Sequence, residues 1–249
     1  MIIFRILLLL AGAGLLYWGF SERRRRQTMQ DTPTIGAGDV ESVADGDREV
    51  RVEIQGTSAA GPDGLLQAPL SGTPCVWHRV QITRRYTEWK TDSEGRREQV
   101  SGSNVIYDEV TDDPFWIKDV SGQVLLYPEG HKPDHATQVL DQHEDGRGPL
   151  GDRAWAMGVT RLGHGPGATR GHTFEEWILK PAQSLYVLGA VRQSEGIAIR
   201  EPHGSPFIIS TRDEAQLEQS MLKKSISGFV TGAVVIVATI VWWIMDPSA

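Results

Sequence analysis

Cys75 is the sole cysteine among 249 residues, and its setting in "SGTPCVWHRVQI" raises three chemistries: nucleophile, metal ligand, or piece of core. A reactive thiol needs surroundings that stabilise the thiolate, such as a helix N-terminus or an adjacent cation. Cys75 instead follows Pro74 at the start of a β-type run, with His78 and Arg79 its nearest basic neighbours. On a strand, positions 75 and 78 face opposite ways, so His78 is poorly placed as a base. The pattern points to a structural cysteine. A single cysteine also excludes an internal disulfide and leaves the redox compartment open.

The histidines offer metal chemistry. His131, His135 and His143 stand among Asp134, Asp141, Glu144 and Asp145, a composition that would suit a metal-binding sensor. His131 and His135 have the i, i+4 spacing of a helical ligand pair, but Pro133 spoils a helix there and no cysteine joins the set. His164 and His172 flank Gly-rich turns and make weaker candidates. There is no nucleophile elbow, phosphate loop or dinucleotide fingerprint; "GAGDV" is too short and lies in a polar segment. The residues therefore predict no catalytic group and no cofactor.

The elements that must position these residues begin at the two ends. "MIIFRILLLLAGAGLLYWGF" (1–20) and "ISGFVTGAVVIVATIVWWIM" (226–245) each approach the ~20 residues that span a hydrocarbon core of ~30 Å. The mean hydropathy of −0.27 averages these ends with a polar middle. A cleaved signal peptide carries its charge before the apolar run, whereas here Arg5 stands alone and Arg23 to Arg26 follow, so both runs are expected to span, with Arg5 snorkelling outward from its helix end. Lys and Arg flanks stay on the cytoplasmic side. Arg23 to Arg26 and Lys223 with Lys224 thus place residues 21–225 in the cytoplasm and both termini outside, in the cell membrane. A net charge of −7 argues against a nucleic-acid partner.

Residues 21–47 contain almost no large apolar side chain and read as a polar tether. Beyond them, short β-type runs are divided by Gly, Pro and Asp. "REVRVEIQG" alternates Val50, Val52 and Ile54 with charge, and "CVWHRVQITRRYTEW" puts Val76, His78, Val80 and Ile82 on one face. A hairpin turn at Glu94 and Gly95 leads to "NVIYDEV", and strands follow at "FWIKDV", "QVLLYP", "EEWILKP", "SLYVLGAV", "GIAIR" and "PFIIST". Residues 128–173 break the pattern and read as a long Gly- and His-rich loop region with a short helix near Asp152 to Met157. "STRDEAQLEQSMLKKS" reads as a helix leading directly into the second span, with Thr211 and Glu214 as its capping box. The expected fold is mainly β, an antiparallel, β-rich α+β soluble domain flanked by two transmembrane helices.

Four stretches in order resemble one family. "LLQAPLSGTPCVWHRVQI", "FWIKDVSGQVLLYPEG", "FEEWILKPAQSLYVLGAVRQSEGIAIRE" and "SPFIISTRDEAQLEQ" are similar to the signatures of the GIDE domain, also called the BAM or beside-a-membrane domain. The resemblance covers about Arg48 to Lys224, and a domain over 48–224. It implies that Cys75 is core and that Gly72, Pro74, Asp119, Gly122 and Gly189 are framework. The best-known members are mitochondrial RING-type ubiquitin ligases, in which a zinc-binding RING follows the second span. A RING uses eight Cys and His ligands around two zinc ions, and this chain has one Cys and stops four residues after Met245, so it is expected to be a RING-less, prokaryotic-type relative. Two further partners follow from the whole reading: the lipid bilayer, and a protein bound or scaffolded at the membrane. The rival readings are an E3 ubiquitin-protein transferase acting with a separate RING subunit, and a metal sensor working through the His-rich loop.

Overall fold

The structure, a computed structural model, describes residues 2–46, 48–91, 93–146, 148–162 and 165–245. In chain order its elements are α1 (Ile2–Gln30), α2 (Val40–Val43), β1 (Val50–Ala59), β2 (Leu66–Gln67), β3 (Pro74–Cys75), β4 (Trp77–Thr91), β5 (Arg97–Val110), β6 (Phe115–Lys118), β7 (Gln123–Leu126), β8 (Thr137–Glu144), α3 (Pro149–Ala156), β9 (Ala168–Leu179), β10 (Ser184–Val191), β11 (Ala198–Ile199), β12 (Ile208–Ser210) and α4 (Glu214–Met245). The strands form a six-stranded sheet, β11-β7-β6-β1-β10-β12, a four-stranded sheet, β5-β4-β9-β8, and the short pair β2-β3. All pairings are antiparallel except β11 with β7. The molecule is thus β-rich and antiparallel, with a long apolar helix at each end.

Alternation along β1 turns Val52 and Ile54 into a core that also takes Trp77, Phe115, Leu126, Val187 and Ile199, filling the space between the two large sheets. A second core covers the inner face of the four-stranded sheet, where Val80, Ile82 and Phe174 meet Leu70, Leu150, Ala154 and Val159. β10 shows why "SLYVLGAV" lacks alternation. Leu185, Val187 and Val191 face the first core, while Tyr186 and Leu188 on its other side pack against Met29, Leu217 and Met221 of the two long helices. A strand covered on both faces has no solvent side to mark with polar residues.

The two long helices pack on each other through small residues. Gly12 and Gly19 of α1 and Ser225, Gly228 and Gly232 of α4 are buried at the contact. A Cβ on Gly228 would fall 2.9 Å from the Gly19 Cα. Ser225 Oγ donates to the Gly19 carbonyl at 2.9 Å. Close approach of backbones through small residues is how helices associate where lipid gives no hydrophobic drive.

Four expectations need correction. The segment 21–47 is no free tether: α1 runs on to Gln30, Thr34 bridges to Glu53, and Ala37 and Val40 enter the first core. A few small side chains suffice because the core they complete belongs to other elements. Arg5 does not snorkel but is fully buried against α4, its guanidinium 4.7 Å from the Trp242 ring centroid. The cap of α4 is Asp213, whose carboxylate accepts the Gln216 N–H at 2.7 Å, while the Thr211 hydroxyl donates to the His135 carbonyl at 3.0 Å. Residues 128–173 hold β8 and the start of β9 besides α3, which begins at Pro149, three residues ahead of the expected Asp152.

Candidate functional site

The inner face of the four-stranded sheet carries a group of buried polar residues, Arg84, Glu144, His172 and Glu176. β4 and β9 pair there as His78 with Ile178, Val80 with Glu176, Ile82 with Phe174 and Arg84 with His172, so ionisable residues interleave with core residues on one face. Arg84 and Glu176 are 0 % exposed and His172 is 5 % exposed. Ionised groups in such positions need partners in place of water.

Glu176 finds them in the backbone, accepting the N–H groups of Leu70 (2.7 Å) and Ser71 (2.9 Å). Arg153 of α3 donates to the Leu70 carbonyl from the other side. At the far end of β8, Glu144 accepts the Leu150 and Gly151 N–H groups at 3.1 and 3.2 Å, a carboxylate set on the first turn of α3, where the helix dipole and unpaired amides favour it. These contacts fasten the loop 68–73 and α3 over the face.

His172 stands opposite Glu144 in register. Burial holds it below the ordinary histidine range, against an opposing hydrogen bond to the Gly146 backbone, and its Nε2 is buried without a partner. Arg84 directs Nε to the Thr169 hydroxyl (2.8 Å) and Nη2 to the carbonyls of Pro166 (3.2 Å) and Gly167 (3.1 Å), under the Tyr86 ring. Its Nη1 is buried with no partner.

Cys75 sits at the other end of this region, 0 % exposed, paired with Leu66 and packed with Ala68 and Ile178. Burial, with Glu176 adding to it, pushes its thiol up to about 11. A thiol in that state is protonated at neutral pH and supplies no thiolate. His78 is held below the ordinary range by burial, despite Glu176, Asp113 and Glu109 pulling the other way.

The three histidines proposed as metal ligands do not gather. His131 lies against Phe207 and Glu201, His135 occupies a turn at φ 62°, and His143 on β8 contacts Thr173 and Asp145. Among the described residues no three His, Cys, Asp or Glu side chains could hold a metal ion together. His164 lies outside the described residues. Asp119, expected as framework, accepts N–H groups of Ser121, Gly122 and Ala37, tying the β6–β7 turn to the segment before α2.

Several openings flank the sheet, among them one of about 450 Å³ lined by residues including Arg85, Tyr86, Ser101 and Ser103. A cleft of about 630 Å³ is lined by Asn104, Val105 and Ile106 of β5 with Trp155, Thr160, Arg161 and Gly165. A smaller one of about 290 Å³, at the junction of the two large sheets, is lined by residues including Trp77, Arg79, Lys132 and Trp177. β5 itself is 14 residues long, pairs on one side with β4, and forms an outer edge of its sheet.

Sequence reasoning passed over Arg84, Arg153 and Glu176, and met Glu144 only as a companion of the candidate metal-ligating histidines. One signal was present for Arg84: in "ITRRY" two adjacent arginines on a strand cannot both face solvent.

A family model described as GIDE, E3 ubiquitin ligase, matches residues 84–243, well over half of the chain. That match begins inside β4, past the stretch around Cys75, and extends through α3 and the second sheet into the last turns of α4. No curated protein and no solved structure matches.

Proposed function

The chain belongs to the GIDE family, and from that premise we propose that it is a membrane-anchored protein-binding module, presenting its β domain beside the cytoplasmic face. The carrying observation is β5. Fourteen residues run along a sheet edge whose outer side pairs with nothing among the described residues, and Ser101 and Ser103 along it are exposed. An open edge offers backbone N–H and C=O groups to an extended segment of another protein, which adds as a further strand. The arginines after α1's apolar part and Lys223 with Lys224 favour the cytoplasmic side, and two helices long and apolar enough to cross a membrane supply the anchor.

A photo-activated cross-linking residue at Ser101 or Ser103, in the full chain in its own membranes, tests this. Discrete protein adducts are expected from both positions and not from Val120, fully exposed on the β6–β7 turn. Adducts of equal yield from all three, or none, would sink the reading.

The family description favours a second reading, in which the module serves ubiquitin transfer with a separate RING subunit. RING zinc sites are built largely on cysteine, and these 249 residues contain one. Transfer chemistry of that kind would come from the partner.

A further inference from the structure

Arg84 is a wholly buried cation whose hydrogen-bond partners are all neutral. Its acceptors are one hydroxyl and two carbonyls, and among the described residues no carboxylate pairs with it. A buried guanidinium without a countercharge is costly, and here both N–H bonds of Nη1 are also unsatisfied. Gly165 lies against that nitrogen: a Cβ there would fall 2.7 Å from Nη1, and the backbone at φ +141° also favours glycine. Gly165 is at the same time a wall of the 630 Å³ cleft. With no side chain at 165, the Gly165 backbone packs directly on the guanidinium and is what separates the buried cation from the cleft.

The rest of the cleft has matching chemistry. Arg161 adds a second guanidinium, and it forms no ion pair among the described residues. Asn104, directly across the strand pair from Arg84, and Thr160 add neutral hydrogen-bonding groups. Val105 and Trp155, 52 % and 51 % exposed, give apolar walls with Ile106. No Asp or Glu is among the described lining residues.

We propose that this cleft binds a carboxylate carried on an apolar or aromatic body, the carboxylate held by Arg161 and answering the uncompensated charge of Arg84 across the Gly165 backbone, with the body lying against Trp155, Val105 and Ile106. Guanidinium groups match the planar, two-oxygen geometry of a carboxylate. A single negative charge suits a partly apolar cleft better than a phosphate dianion, because the cost of desolvating an ion rises steeply with its charge. The carboxylate comes either from a free organic acid or from the C-terminus of a peptide; the chemistry is shared.

The test uses the full chain in an uncharged maltoside detergent, titrated with 3-phenylpropionate, with its primary amide, and with a short peptide ending in phenylalanine as free acid or as amide. Thermal shift and tryptophan fluorescence report binding up to ~10 mM, a range suited to ligands of this size. At least one acid is expected to bind about tenfold or more tighter than its amide, and Arg161→Gln to lose most of that preference. Binding of phenylpropionate assigns the free acid, and binding of the peptide acid alone assigns a chain terminus. Gly165→Ala, whose Cβ would press on Nη1 and displace that wall of the cleft, should abolish binding; Asn104→Leu on the exposed strand is the milder variant should Gly165→Ala not fold, and should weaken it. Equal binding of acids and amides, an Arg161→Gln protein that keeps the preference, or no binding by either acid would overturn the proposal.

Discussion

Cys75 and Asp108 lie at opposite extremes of ionisation, and each carries a prediction. Cys75, raised from 9.0 to about 11 by burial, should react with a thiol reagent at neutral pH only after unfolding. Because its folded value is raised, the stability it contributes is complete below pH 9 and is lost as pH climbs through about 11. Cys75→Ser should cost ~1–3 kcal/mol, since a hydroxyl is buried there without an assured partner, and more than Cys75→Ala; urea unfolding measures both. Asp108 is held at about 2, down from 3.8, chiefly by its hydrogen bonds to Arg79 at 2.7 Å with Lys132 adding to them. Its depressed value gives stability that is intact above pH 3.8 and lost as pH falls through about 2. Asp108→Asn should cost about 1 kcal/mol at neutral pH, the group being partly solvated, and should flatten the acid limb of the stability curve. The burial of Cys75 was legible from its place at a strand start. The role of Glu176 was not, because its partners at Leu70 and Ser71 lie 106 and 105 residues away and are backbone groups that no side-chain pattern announces.

At the scale of elements, strands with regular alternation or continuous apolar runs were readable, and those whose pairing is irregular were not. β8 has the adjacent Val139 and Leu140 as its apolar residues, and its pairing with β9 shifts register between Gln138 and Leu140, so period-2 alternation is broken where it would have been sought. The segment after α1 hid its packing for another reason. Its contribution is Ala37 and Val40, added to a core assembled by distant strands, just as Met29 at the end of α1 joins one made with β10 and α4. α4 was placed correctly but capped wrongly, since Thr211 and Asp213 both suit an N-cap and only the helix start at Glu214 separates them. Asp213→Ala should therefore cost ~1 kcal/mol in thermal unfolding in detergent, and Thr211→Ala less. Gly228→Ala should destabilise by ~1–3 kcal/mol in the same assay, because its Cβ would meet the Gly19 backbone rather than a yielding side chain.

For the whole molecule, the proposed orientation can be read with one engineered thiol. Cys75 is buried and silent, so Glu94→Cys, on the β4–β5 turn, supplies a site without background. A membrane-impermeant maleimide should label it in inverted vesicles and not in intact cells; the reverse result would turn the topology over. The purified chain with activating and conjugating enzymes, ubiquitin and ATP should give no transfer above the level without it, and transfer that survives zinc chelation would make the domain itself catalytic. The continuity of α4 sets a dimension as well. Its 32 residues measure about 48 Å at ~1.5 Å per residue, against a hydrocarbon layer of ~30 Å, leaving roughly 18 Å of the rod above it. In the proposed spanning arrangement, Leu217 and Met221 of that projecting part, with Met29 of α1, pack on the outer side of β10 and would hold the domain at a set height above the lipid. A partner must then present its binding segment at that height, and a change in helix tilt, as on passing into a thinner bilayer, would swing the whole sheet like the arm of a lever.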